Sequence, residues 1–183
     1  MDYREEIQRY LPATEQEQAE KEAVLSLMES FPDSLLTRDN TVAHFTASAV
    51  ILTPQRDRTL MIFHNLYQSW SWTGGHADGD PDLLAVAERE AREETGIVEL
   101  TPVSRQMLSL DILPVWGHWK RGRFVASHLH LSVAYGFVAA GDQPVRSLPE
   151  ENSAAAWLPI QQLEEYVSEP QMLPIYRKIM NRF

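Results

Sequence analysis

The chain has 183 residues, 44% of them hydrophobic and 23% charged, which suits one folded domain with a sizeable core. It contains no cysteine, and this excludes a disulfide scaffold, a thiol nucleophile, a zinc–thiolate site and an iron–sulfur cluster. The net charge of −10 lies in two blocks, residues 1–30 with eight acids against three bases and residues 75–97 with seven against two, so no basic footprint for a nucleic acid exists.

Residues 15–30 read as a helix. Thr14 and Glu17 form a capping-box pattern, and Ala23, Val24, Leu27 and Met28 make its apolar stripe. Residues 31–41 are a connector, so 1–41 is expected to be an N-terminal helical extension on a main domain at 42–183. The extension is read as structural or interfacial, and a homodimer through it is the assembly it suggests. Strands are expected at 43–53 and 59–64, joined by the turn Pro54–Arg58. A short strand, 70–73, runs into Gly74-Gly75. Residues 81–95 read as a helix with Asp80 as N-cap, Pro81 at the first helical position and Gly96 as the stop. Strands follow at 103–112 and 123–138. In the second, Val125, Leu129, Leu131, Val133, Tyr135 and Phe137 share one face, and His128, His130, Ser132 and Ala134 the other. A strand near 154–158 and helices near 160–167 and 171–181 complete a mixed α/β domain. No apolar run is long enough to span a membrane, and the acidic start Met1–Glu6 is unlike a secretory signal; a cytoplasmic protein is expected.

The second acidic block carries the chemistry. On a helical wheel, Leu83, Leu84, Val86, Ala87 and Ala91 define the core-facing arc. Glu90 and Glu94 fall inside that arc and Glu93 at its edge. These acids crowd a helix C-terminus, where the macrodipole disfavours negative charge, and they repel one another at i, i+3 and i, i+4. Such a cluster is either a solvated helix end or a site for a hard divalent cation, Mg²⁺ or Mn²⁺, since all its ligands are oxygen. An EF-hand is excluded, because Leu83 and Arg89 stand where that loop needs glycine and glutamate.

The stretch Gly75–Ile97 resembles a Nudix box, G-x5-E-x7-R-E-U-x-E-E-x-G-U with U aliphatic. Gly75, Arg89-Glu90, Glu93-Glu94, Gly96 and Ile97 fall at the required spacings; Ala91 is a small aliphatic residue, and Pro81 replaces the first glutamate. The resemblance implies a Nudix-like α/β/α sandwich with a mixed sheet. It implies a hydrolase cleaving the diphosphate linkage of a nucleoside diphosphate joined to another group. It further implies that Glu90, Glu93 and Glu94 bind Mg²⁺ or Mn²⁺ and that Arg89 orients them. In this family the general base is a box glutamate or a glutamate on a late loop, so Glu93 and the pair Glu150-Glu151 are candidates, with Glu151 favoured. Asp80 or Asp82 is the candidate stand-in for the missing glutamate.

Several residues carry a second reading. Trp70 and Trp72 either line a pocket ahead of Gly75 or pack in the core. His76 either contacts a phosphate or second metal or is a turn residue, and His128 and His130 either face substrate or solvent. Lys120-Arg121-Gly122-Arg123 either holds a distal phosphate or is a hairpin turn. The partner expected is a nucleotide-type small molecule, with no nucleic acid and no membrane. Two alternatives share the fold. Trp72–His76 is faintly similar to the isopentenyl diphosphate isomerase branch, but those enzymes use a cysteine. A non-catalytic ligand-sensing domain is the other, though such domains tend to lose box glutamates. In ADP-ribose-type members a proline follows the box's final glycine by about 15–16 residues; Asp111 and Ile112 occupy those positions here, with proline at Pro114.

Overall fold

In the computed structural model, which describes residues 2–120 and 122–183, helix α1 (Tyr3–Arg9) and helix α2 (Glu15–Ser30) precede the sheet. Strands β1 (Ala43–Leu52), β2 (Arg58–His64), β3 (Ser69–Ser71) and β4 (Thr73–His76) lead into helix α3 (Leu83–Thr95). Strands β5 (Thr101–Pro102), β6 (Ser109–Val115), β7 (His118–Lys120), β8 (Arg123–Val125), β9 (His128–Val138) and β10 (Asn152–Pro159) follow, then helices α4 (Leu163–Tyr166) and α5 (Leu173–Met180). Among the described residues, no helix is long and apolar enough to cross a membrane.

The sheet runs β10-β2-β1-β9-β5, with β3 on β2, β4 on β1 and β6 on β9. Among the described residues only β1 and β9 pair in parallel, from Ala43↔Leu129 to Leu52↔Val138, so the sheet is mixed. A parallel pair is normally buried on both faces, and β1 is buried at nearly every position. Ala43, Phe45, Ala47, Ala49 and Ile51 point into a first core with residues of α1, α2 and α3. Val50 and Leu52 point into a second core with Leu163, Tyr176 and Ile179 of the last two helices. Helices therefore cover both faces of the sheet, as the α/β/α expectation requires. Each fully buried Phe, Leu or Ile contributes about 1.5–3 kcal/mol to this arrangement.

The N-terminal helices share the first core through Tyr3, Ile7, Tyr10, Val24 and Met28. Helix α2 starts as its sequence indicates, Thr14 Oγ1 accepting from the Glu17 N–H at 3.1 Å. The reciprocal half of the capping box does not form, because the Glu17 carboxylate accepts from Ala13 N–H instead. That carboxylate is fully buried, accepts from Tyr10 Oη at 2.6 Å, and pairs with Lys178 at 3.0 Å and with Arg182. Lys178 in turn reaches Asp111 of β6 at 2.5 Å. A polar knot thus joins α2, β6 and the end of the chain.

Several boundaries differ from the sequence reading. The N-cap of α3 is Asp82, whose Oδ1 accepts from Ala85 N–H at 3.1 Å; Asp80 instead accepts from the Asp82 N–H, which leaves Pro81 outside the helix. The strand expected at 70–73 is interrupted at Trp72, and that expected at 103–112 is displaced to β6. The run 123–138 divides after Val125, because β8 leaves the sheet to pair with β7. Helix 160–167 begins as a 3₁₀ turn, Ile160–Gln162, and α1, β5 and β7 have no counterpart in the sequence reading.

Candidate active site

Helix α3 packs across β1 and β4, and its apolar first half gives way to carboxylates opposite Gly74-Gly75. Gly96 ends the helix in the left-handed region (φ 69°), its N–H donating to Arg92 O at 2.8 Å. Gly75 allows the approach: a Cβ there would lie 2.4 Å from the Glu90 carboxylate. Glu94 is 2% exposed, and its Oε2 accepts the Gly74 N–H at 2.9 Å. Glu93 is exposed at the edge.

The carboxylates disfavour their own ionisation. Burial pushes the Glu94 carboxyl up to about 8; the Gly74 N–H offsets part of this, and the charges of Glu151, Glu90 and Glu93 add to it. Glu90 is raised by burial first and by Glu93 next, with Arg89 opposing and Glu151 adding. Arg89 lies 3.4 Å from both Asp80 and Glu90, so it links the loop carboxylate to the helix one. Asp82 is committed to the helix cap and lies 3.4 Å from Arg105.

Glu151 reaches this group from the late loop because Asn152, the fully buried next residue, fastens that loop to α3. Its Nδ2 donates to Glu94 O at 3.2 Å, and its Oδ1 accepts from Leu148 N–H at 3.1 Å. Glu150 and Glu151 are both exposed, and of the two only Glu151 is among the charges acting on Glu90 and Glu94. Glu90 and Glu94 thus face the Gly74-Gly75 backbone with Glu93 on the next turn, Glu151 acting on them through its charge and Arg89 beside Glu90. A hard divalent cation fits this all-oxygen set and removes the repulsion within it.

The remaining candidates separate. Trp72 sits in the second core rather than beside the box: it is 7% exposed, its Nε1 donates to Thr59 Oγ1 at 3.0 Å, and its ring lies 4.3 Å from that of Tyr176. Trp70 packs against the same second core and lies edge-on to Phe63. Lys120 and Arg123 face each other across the β7–β8 hairpin, and Arg121 lies outside the described residues.

His76, His128 and His130 come together, and they gather around His44, which sequence reasoning did not single out. His44 and His130 are register partners in the parallel pair, and His76 lies opposite Thr46 on β4. The signal for His44 was its place on the β1 face opposite Phe45; what was missing was the strand beside it. His76 follows Gly75 in β4, so it points away from the box carboxylates. Burial drives the His76 ring down to about 3 and the His130 ring to about 2, with neighbouring cations and histidines adding to each. Burial also lowers His44, opposed by the Asn40 carbonyl.

This combination of fold and box is shared with known proteins. The NUDIX domain family model matches residues 43–183, and the chain belongs to this family. Among solved structures, the NUDIX domain of Shewanella oneidensis NrtR, complexed with ADP ribose, is 15% identical with a TM-score of 0.56. That likeness covers 84% of this chain and 97% of the other. The Escherichia coli dihydroneopterin triphosphate pyrophosphohydrolase is 15% identical, TM-score 0.55, covering 76% and 93%. The Caenorhabditis elegans Ap4A hydrolase is 16% identical, TM-score 0.52, covering 75% and 95%. These likenesses are of fold. No curated protein matches the sequence.

Proposed function

We propose that the chain is a Nudix-type pyrophosphohydrolase, dependent on Mg²⁺ or Mn²⁺, that cleaves the diphosphate linkage of a nucleoside diphosphate joined to another group. The observation that carries this reading is the approach of Glu90 and Glu94 to the Gly74-Gly75 backbone, with Glu93 at the edge and the charge of Glu151 acting on both. Glu90, Glu93 and Glu94 would hold the cation. Bound there, it neutralises phosphate charge and acidifies an attacking water.

The chain's own residues supply the rest. Glu151 stands beside the metal-binding carboxylates without belonging to them, so it serves as general base and takes the water proton. The water oxygen bonds to phosphorus, the bond from phosphorus to the bridging oxygen breaks, and the bridge leaves with the other phosphate. Arg89, held between Asp80 and Glu90, fixes the orientation of Glu90; Asp80 thereby replaces the glutamate that Pro81 displaces from the box. Residues 1–41 carry no step of this chemistry. A cytoplasmic location suits a nucleotide-type substrate, and a homodimer through the N-terminal region remains part of the proposal.

The test is a panel of nucleoside diphosphate derivatives, with ADP-ribose and diadenosine polyphosphates included, assayed for phosphate-bearing products with Mg²⁺ or Mn²⁺. Turnover that stops with excess chelator supports the reading. Undiminished turnover in chelator overturns its metal dependence, and binding without turnover across the panel favours a ligand-sensing domain.

A further inference from the structure

The four gathered histidines lie on the sheet face opposite the box helix, and the hydrolysis described above makes no use of them. Ring centroids of His44 stand 5.1 Å from His76, 4.9 Å from His128 and 5.2 Å from His130, and His76 stands 5.0 Å from His130. One ring nitrogen from each of His44, His76 and His130 lies within 4.8 Å of the others.

The hydrogen bonds fix which nitrogens are available. His44 Nδ1 lies 3.0 Å from the Asn40 carbonyl, which can only accept, so Nδ1 carries the proton and Nε2 carries a lone pair. Donation from the other ring N–H to a backbone carbonyl is how metal-ligating histidines are commonly oriented. His128 repeats the arrangement, with Nδ1 2.9 Å from Ala126 O. Among the described residues, three buried side-chain nitrogen or oxygen atoms have no hydrogen-bond partner. Two of the three, His44 Nε2 and His130 Nε2, belong to this cluster; the other is Trp157 Nε1. Buried polar atoms are ordinarily paired, and packing alone would be better served here by apolar side chains.

We propose that His44, His76 and His130 form a second metal site, which takes a borderline transition-metal ion of the zinc class and clamps β1, β4 and β9. An all-imidazole set favours Zn²⁺, Co²⁺ or Ni²⁺ over Mg²⁺, so its metal preference differs from that of the oxygen-only box. Tetrahedral coordination at about 2.0–2.1 Å per nitrogen requires the three ligand atoms, now within 4.8 Å of one another, to close to roughly 3.4 Å. The three histidines leave a fourth position, and His128 stands beside it. The site depends on no step of the hydrolysis and is testable without substrate.

The test uses the full chain, stripped of metal and titrated with Co²⁺ alone. The visible d–d bands of a nitrogen-ligated tetrahedral ion are expected at one equivalent, displaced by Zn²⁺ and not by Mg²⁺. His130→Gln and His76→Gln should each weaken Co²⁺ binding by more than the about 10- to 100-fold cost of losing an outer-shell partner. Glu93→Gln, in the box, should leave the bands unchanged. If one histidine variant fails to fold, the other carries the test, with circular dichroism as the check. Absence of the bands in the native chain overturns the site. So do tetrahedral bands that survive in a folded histidine variant or are lost in Glu93→Gln.

Discussion

Glu17 and Glu94 are the same residue type, both almost fully excluded from water, and their surroundings treat them in opposite ways. Around Glu17, burial would raise the carboxyl, but the hydrogen bonds from Arg182, Ala13 N–H, Tyr10 and Lys178 together outweigh it and hold the group down at about 2. Around Glu94, burial is met by one backbone N–H and three further carboxylates, and the group rises to about 8. The first carboxylate is neutralised by the chain's own cations and serves stability. The second has no cation among the groups acting on it, and a local conflict of this kind is where function is expected.

The comparison breaks most visibly if Glu17 is neutralised. Glu17→Gln leaves Arg182 without its buried counter-charge and Lys178 with Asp111 alone, and should lower unfolding free energy by about 3–5 kcal/mol, measured by denaturant melts. Glu94→Gln should do the reverse: turnover falls about 10²-fold or more while the melting temperature holds or rises, since a buried group whose ionisation is disfavoured gives way to a neutral amide. A lower melting temperature with normal turnover would make Glu94 a structural residue like Glu17.

The pH dependence sharpens the contrast. The folded value for Glu17 lies below its unfolded one, so the unfolded chain takes the proton first as pH falls. Its stabilisation is complete above pH about 4.5 and is lost progressively down to about 2. Acid unfolding followed by far-ultraviolet circular dichroism should show this loss, and Glu17→Gln should lack it. Glu151→Gln should lower turnover by up to about 10²-fold and remove the acidic limb of the pH–rate profile, with Co²⁺ or Mn²⁺ affinity at the box nearly unchanged. Normal turnover with an unchanged profile returns the base to Glu93. The smallest effect is expected at the helix cap, where Asp82→Ala should cost about 1 kcal/mol in thermal unfolding without altering turnover at saturation.

What the sequence disclosed follows the range of the interaction. Helix α3, its glycine stop and the misplaced carboxylates on its apolar arc are readable within a dozen neighbouring residues. So are the alternation of β9 and the start of α2 at Thr14. The salt bridge from Glu17 to Arg182 is not readable, because its partners are 165 residues apart and nothing local announces their meeting. The same holds for Asn152, an ordinary polar residue until the late loop folds back on Glu94. Trp70 and Trp72 share one face, as their spacing implies, but that face is the second core, where the Trp72 indole N–H reaches Thr59. His44 needed the parallel pairing with His130, which no periodicity in residues 43–53 reveals.

That parallel pairing has a kinetic consequence. Joining Ala43 to Leu129 closes a loop that holds β2, β3, β4, the whole of α3 and β5 to β8, so no hairpin turn brings the central strands together. Helix α3 and the β2–β3 and β7–β8 hairpins form from near neighbours, whereas the β1–β9 seam must wait for a long-range encounter with its loop-closure entropy. Until it forms, β1 exposes apolar side chains on both faces, the segment of the chain most prone to pairing with another copy. Refolding of this protein should therefore be limited by one late zipping step, sensitive to chain concentration, after most of the helix signal has already returned.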